Sequence, residues 1–463
     1  MTDTLVIGAG PAGLTTAIAL ARAGAQVTVL EQDASELPAR AADAFNQWQR
    51  RGVPQLRHSH AFLARLRVVL QHRAPDVLAA LLANGGSELR FVNHLPETIV
   101  DRSPRPGDED LVGLGLRRAT FEWVLRQAAL DQSGIRFEAG RSVRNLVVAP
   151  DDSSRVTGVW VDGEVISART VVDATGRNSP LPRWLEEIGA RAMSEEHRHV
   201  GLLYYSRFYR LMPGATAPDV EGQFGADLGF LKYAVFPGDD DTFSLTMGIA
   251  VEDEDLRGIR HAHAFDALAA ILPTTGRWLA AGAIPLTDDV AVMARMRNRL
   301  RRLVVGDAPV VTGLVPVGDA AVCTNPLYGR GTSLALAHGF EVADLIVAQD
   351  DPAQLMVDAD SLTMAELEPW YRASVAQDQL RPDDPAAAFQ GAFFAAVRSD
   401  PDVWRAFMRT FNLLAPPDAM LNDPVVQAKV LEAAAAGDLG PVVVEGAPSR
   451  DEVLSIINAP AAA

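Results

Sequence analysis

Apolar positions near the start of the chain switch between two periods. Leu5, Val6 and Ile7 form a short continuous run, Leu14, Ala17, Ile18 and Ala21 follow at helical spacing, and residues 26–30 return to a β-type run. The pattern predicts a strand, a helix ended by Gly24 and a second strand. Residues 171–172 and 314–317 read as two further buried strands, and 334–340 as part of another helix. Residues 200–211 and 230–251 carry β-type runs with the aromatics Tyr204, Tyr205, Phe208, Tyr209, Phe230, Tyr233 and Phe236. Past Asp350 the chain turns to alanine-rich helical stretches broken by prolines, at 370–379, 386–398 and 403–414. Phe389, Phe393 and Phe394 share one stripe there, the pattern of a helix docked against a body. The acidic run 239–241 follows Pro237 and Gly238 and reads as a hairpin turn. No repeat of fixed period is present.

The first predicted turn carries chemistry. It reads Gly8-Ala9-Gly10-Pro11-Ala12-Gly13, in which Gly8 permits a tight turn, Gly10 lets backbone approach a pyrophosphate, and Gly13 lets helix and strand pack closely. Pro11 and Ala12 open the helix, whose unpaired N–H groups favour an anion. Glu31 closes the second strand, placed to accept hydrogen bonds from ribose hydroxyls and to repel a 2′-phosphate. The unit therefore predicts the adenosine of FAD or NAD in preference to that of NADP.

A second motif lies far downstream. From Gly313 the chain runs through Gly318-Asp319 to Cys323, then Pro326, Gly329, Arg330, Gly331 and Thr332. A strand ending at Asp319 presents a carboxylate, Pro326 kinks the chain, and Gly329 and Gly331 open a helix whose N–H groups suit negative charge. With this GD motif followed by P-x-x-G-x-G, the sequence resembles the flavoprotein monooxygenase superfamily of aromatic hydroxylases, squalene-type and polyether epoxidases and flavin-dependent halogenases. The resemblance implies FAD, with Asp319 on the ribityl chain and Pro326, Gly329, Gly331 and Thr332 shaping the flavin site. It extends to Asp173 and Gly176 in a D-x-T-G turn beside the adenosine half, to Arg118 on a helix facing the cofactor, and to Val143, whose backbone would meet adenine. Residues 50–60 resemble a segment of the polyether-epoxidase branch that borders the flavin. That likeness implies Arg51 or Arg57 near cofactor phosphate and His60 as a hydrogen-bonding group of the active site. His58 and His60 share one strand face without a third ligand, so no metal is expected.

The implied architecture is α/β, a Rossmann-like FAD-binding domain of the glutathione-reductase type with an inserted antiparallel substrate sheet and a C-terminal helical cap. The boundaries expected are 1–190 and 298–350 for a discontinuous FAD-binding domain, 191–297 for the sheet and 351–463 for the helical region, with 69–99 on the substrate side. The implied chemistry is reduction of the flavin by NADH or NADPH, directly or through a separate flavin reductase. O2 then adds to give a C4a-hydroperoxide that hydroxylates or epoxidises a small organic molecule of the natural-product kind. A reductase or dehydrogenase acting on an alkene such as a prenyl chain has the same motifs. Halogenases carry a lysine near the substrate and a W-x-W-x-I-P segment, but the lysines here are Lys232 and Lys429 and the segment is missing. A non-catalytic flavin-binding protein would hold FAD without substrate-stimulated turnover.

Composition narrows the partners. A formal charge of −17 argues against nucleic acid, whose phosphates call for a basic surface. The single Cys323 excludes an intrachain disulfide framework and a cysteine-cluster metal site, and suits a reducing cytoplasm. The apolar stretch 5–30 is interrupted by Arg22, Gln26 and glycines and has no basic leader, so neither a signal nor an integral membrane segment is expected there.

Overall fold

The structure, a computed structural model, describes residues 2–218, 224–380, 385–436 and 444–459. Its central sheet is parallel. Thr2–Ile7 pairs with Val27–Glu31 on one side and Glu164–Asp173 on the other, while Ile135–Ala139 and Leu314–Pro316 extend the two flanks. Val27–Glu31 is buried at every position, as a strand covered on both faces must be. Asp152–Val161 and Val143–Ala149 continue the sheet as an antiparallel meander from the first half of Glu164–Asp173.

Two helices cross over this sheet at glycine contacts. A Cβ on Gly339 would lie 2.9 Å from the Ala12 carbonyl oxygen, and one on Gly318 would lie 2.9 Å from the Ala12 Cβ. Pro11–Arg22 and Gly331–Ala348 therefore approach more closely than side chains would allow, and both start at the edge where the parallel strands end. Gly331–Ala348 is the only described helix long and apolar enough to cross a membrane, and two-thirds of it is buried in the core.

The inserted sheet runs Gly225–Asp227, Lys232–Pro237, Thr242–Ala250, Leu202–Leu211 and Ala283–Pro285, all antiparallel, with Ala291–Met293 also on Leu202–Leu211. Alternation along Leu202–Leu211 divides its residues between two faces. Leu203, Tyr205 and Tyr209 enter the insert's own core against Ala262–Ile271, whereas Tyr204, Ser206 and Phe208 meet Asn325, His58 and Phe45 of the first domain.

The helical C-terminal region serves three neighbours. Pro352–Glu366 and Glu368–Gln379 pack near the second glycine motif, Pro385–Ser399, Pro401–Phe411 and Pro424–Ala435 cluster with Leu95, Ile99 and Leu111, and Arg450–Ile457 sends Val453 and Ile457 into the inserted sheet's core. Of the phenylalanine stripe, Phe393 is buried, Phe394 half-buried and Phe389 exposed. The 239–241 turn forms as expected, but Asp239 within it is buried and ion-paired to Arg117, which its acidic sequence did not suggest.

Candidate flavin site

Gly8 has φ of +100°, and a Cβ there would sit 2.6 Å from the Ala174 carbonyl oxygen. A Cβ on Gly13 would overlap the Gly8 carbonyl oxygen at 2.0 Å, whereas one on Gly10 meets nothing within 4 Å. Two of the glycines thus close the turn, and the third leaves an open approach to the start of Pro11–Arg22. No side chain caps that helix start, so its N–H groups remain available.

Beside it, Leu314–Pro316 leads into the turn Gly318–Ala320, and the Asp319 carboxylate lies 3.9 Å from where a Gly331 Cβ would project. Arg177 stands close to Asp319 and Cys323, and Arg299 Nη2 donates to the Asp319 carbonyl at 3.1 Å. Burial pushes the Cys323 thiol up to about 12, so it stays a thiol. Gly329 has φ of +64°, and a Cβ on it would strike the Ala61 Cβ at 2.6 Å, which seats residues 59–61 against the loop. Thr332 is buried in the first helical turn, while Pro326 and Gly331 are half-buried.

A buried ionic chain joins the two halves of the site. Glu31 accepts from the Ala9 N–H at 2.9 Å, the Asp33 N–H at 2.9 Å and Arg50 Nη2 at 2.9 Å. Arg50 also pairs with Glu122, whose other oxygen accepts from Arg118 Nε at 2.6 Å. Arg118 Nη1 reaches His60 Nε2 at 2.8 Å, and His60 Nδ1 meets the His58 carbonyl at 2.9 Å. Burial alone would raise the Glu122 carboxyl, but Arg118 and Arg50 hold it below the ordinary range.

This chain fixes the chemistry of His60. A carbonyl only accepts, so Nδ1 carries the proton, and Nε2 must accept from Arg118. Burial first and the Arg118 charge second depress the imidazole's pKa well below its usual value. Both ring nitrogens are therefore engaged, Nδ1 as donor to the His58 carbonyl and Nε2 as acceptor from Arg118. Nitrogen-15 NMR of histidine-labelled protein is expected to show the neutral Nδ1–H form throughout about pH 5 to 8. An Nε2–H or imidazolium signal near neutrality would contradict it.

Arg51, Arg57 and Asp173, each expected beside the cofactor, have these surroundings. Arg51 is exposed, and it is its neighbour Arg50 that enters the core. Arg57 turns back to the Phe45 and Asn46 carbonyls at 3.0 and 3.3 Å. The Asp173 carboxylate is fully buried and accepts from the Thr175 N–H and hydroxyl and from Ser179 Oγ, so it shapes the turn and presents no oxygen to a ligand. Gly176 in that turn has φ of +78° and open space around it. Val143 starts its strand just beyond Arg141, whose N–H donates to the Glu31 carbonyl at 2.9 Å.

An FAD molecule suits these residues. Nε and Nη2 of Arg126, Nε of Arg50 and one Asp33 oxygen are buried at the Glu31 end without a hydrogen-bond partner, as a polar adenosine site requires. Open space at Gly10 lies between that end and Asp319. Residues 1–56 match the FAD binding domain family. The chain is 28% identical to Protein Rv3254 of Mycobacterium tuberculosis over 89% of each protein. It is 25% identical to 6-hydroxy-3-succinoylpyridine 3-monooxygenase HspB of Pseudomonas putida, over 74% of this chain and 78% of that one. Its fold matches OxyS anhydrotetracycline hydroxylase from Streptomyces rimosus with a TM-score of 0.60 at 18% identity, covering 89% of this chain and 76% of that one. A flavoprotein/dehydrogenase from Cytophaga hutchinsonii matches with a TM-score of 0.65 at 15% identity, covering 94% and 100%. The chain is an FAD-dependent oxidoreductase with the flavoprotein monooxygenase fold.

Sequence reasoning overlooked several residues of this flavoprotein's site. Glu122 lies four residues after Arg118 on one helix, a spacing that signals an ion pair. Arg50 and Asn325 gave no such local sign, because their partners are distant in the chain. His338 is another. Its Nδ1 accepts from the Gly318 N–H at 3.2 Å, beneath the turn that bears Asp319, and its Nε2 faces Thr363 Oγ1.

Burial lowers both His58 and His338 from 6.5 to about 4. Between those values the unfolded chain binds protons that the folded flavoprotein refuses. Stability is therefore expected to be full above about pH 6.5 and to fall as the pH drops towards 4. Melting temperature followed against pH, together with release of flavin fluorescence, tests this. A flat profile across that window would show that neither imidazole stays neutral.

Proposed function

We propose that this flavoprotein is a monooxygenase that inserts one oxygen atom from O2 into a small organic substrate held between the inserted sheet and the loop 326–331. The observation that carries the reading is the meeting of two helix starts, Gly10–Pro11 and Arg330–Gly331, at one sheet edge, with a second sheet turned towards them. When bound, FAD supplies the oxygen activation and the electrons that its nicotinamide donor delivers. The similarity to HspB, a monooxygenase by name, supports the same reaction class.

The protein's own part is binding, orientation and exclusion of water. Gly8, Gly10, Pro11, Ala12 and Gly13 would hold the pyrophosphate, Glu31 and the Val143 backbone the adenosine, and Asp319 the ribityl hydroxyls. The backbone of Gly329, Gly331 and Thr332 would meet the ring edge where reduction adds charge. On the substrate side, Thr246 Oγ1 donates to Ser59 Oγ at 2.6 Å and, with its one hydrogen used there, accepts from Ser206 Oγ at 2.8 Å. These three hydroxyls form a short row between the inserted sheet and Ser59. Electrons would come from NADH or NADPH, directly or through a reductase.

Turnover of candidate substrates under ¹⁸O2, with product masses recorded, tests the reading. One labelled oxygen per product is expected. A product that gains only hydrogens would move the assignment to an alkene reductase.

A further inference from the structure

The loop 325–331 is gripped from the C-terminal helical region. Trp370, Ser374 and Asp378 are four residues apart on Glu368–Gln379 and so share one face. Each touches the loop. The Arg330 guanidinium lies between the Tyr328 and Trp370 rings, 4.4 and 4.9 Å from their centroids, and its Nη1 donates to Ser374 Oγ at 3.3 Å. Asp378 Oδ1 accepts from Asn325 Nδ2 at 2.7 Å, and its Oδ2 accepts from Asn298 Nδ2 at 2.6 Å.

The Asn325 amide has no freedom to flip. Its Oδ1 accepts the Leu327 N–H at 2.9 Å, which points Nδ2 at Asp378. The same Oδ1 accepts the Tyr204 hydroxyl of the inserted sheet at 2.9 Å. One fully buried carboxamide thus joins the loop, the substrate sheet and the C-terminal helix. The loop needs such a hold, because its short 3₁₀ turn ends at left-handed Gly329 and its backbone pairs with no strand.

We propose that Asp378 is a positioning residue for the flavin, acting through Asn325 to set the loop 326–331 and, through its charge, the redox balance of the bound ring. The inference rests on the reading that this loop faces the flavin. Reduction adds negative charge to the ring, and a carboxylate held in low dielectric nearby opposes it. Asp378→Asn removes that charge and leaves one acceptor oxygen where the Asn325 and Asn298 amides now have two.

The test uses the FAD-loaded full chain. Asp378→Asn is expected to weaken FAD binding roughly tenfold to a hundredfold, as for loss of a hydrogen bond to a charged group. It should also move the flavin midpoint potential, read against a reference dye, to more positive values and alter the visible spectrum. Asp378→Glu should recover part of both. Tyr204→Phe loosens the same amide without changing charge, so it should weaken binding by only about threefold to tenfold and leave the potential nearly unmoved. Melting of the apo variants separates misfolding from mispositioning, and if Asp378→Asn does not fold, Asp378→Glu carries the test: its longer arm should weaken FAD binding measurably, and wild-type affinity there would overturn the proposal. Wild-type affinity, potential and spectrum in the folded Asp378→Asn protein would overturn the proposal. If Asp319→Ala also kept its flavin, the reading of the loop would fail with it; if Asp319→Ala lost flavin, only the role of Asp378 would.

Discussion

Asp319→Ala is expected to give a folded protein that purifies largely without flavin. The carboxylate stands at the end of a central strand, 3.9 Å from the Cβ position of Gly331, where the second helix starts. A hydrogen bond to a charged group contributes about 1.5–3 kcal/mol, so its loss should weaken FAD binding by at least about tenfold. The flavin-to-protein absorbance ratio after desalting reads the loss, and melting of the apo form checks the fold. Asp319 is half-buried with the Arg177 charge and the Cys323 thiol beside its carboxylate, so the melting point also reads what the loss of those contacts costs. A variant that stays fully loaded would remove Asp319 from the ribityl site.

The second large effect is on stability. Asp239→Ala should cost about 3–5 kcal/mol, because it leaves a buried arginine without its counter-charge. Arg117 and Asp239 are 2% and 1% exposed. Arg117 Nη2 and Nε donate to the carboxylate at 2.6 and 3.1 Å, Thr120 Oγ1 donates at 2.8 Å, and the Arg117 N–H donates at 2.7 Å. That last bond holds the residue just before the helix Arg118–Leu130, so a turn of the inserted sheet is tied to the start of that helix. Asp240→Asn is the control, since asparagine tolerates the left-handed φ of +56° at that position. Asp240 pairs with Arg210 at 2.5 Å in an exposed setting, and its loss should cost less than about 1 kcal/mol. Urea midpoints for the two variants test the contrast, and equal midpoints would show that the buried pair does not hold the units together.

The same acidic run illustrates how far local reading reaches. Pro237-Gly238 and three aspartates suffice to predict a turn, since each residue type acts on its own backbone. Nothing in them says that one aspartate is buried against an arginine more than a hundred residues earlier. His60 shows the same limit. A histidine in a segment expected to border the cofactor invites a catalytic role, yet its hydrogen bonds go to the His58 carbonyl and to Arg118, which the fold delivers from another helix.

By itself the sequence determined the parts whose chemistry is local: the Gly8–Gly13 turn, the Asp319 strand end, the Gly329–Gly331 helix start, and with them the α/β fold and the cofactor. Glycine positions are legible because only glycine tolerates those dihedrals and approaches. The tertiary structure alone decided which of two adjacent arginines is buried, that the Asp173 carboxylate serves its own turn, and that Asn325 joins the loop 326–331 to Tyr204 and Asp378. Those outcomes depend on charges and hydrogen bonds between residues far apart in the chain, and such pairings exist only once packing has excluded water and left each buried polar group to find a partner.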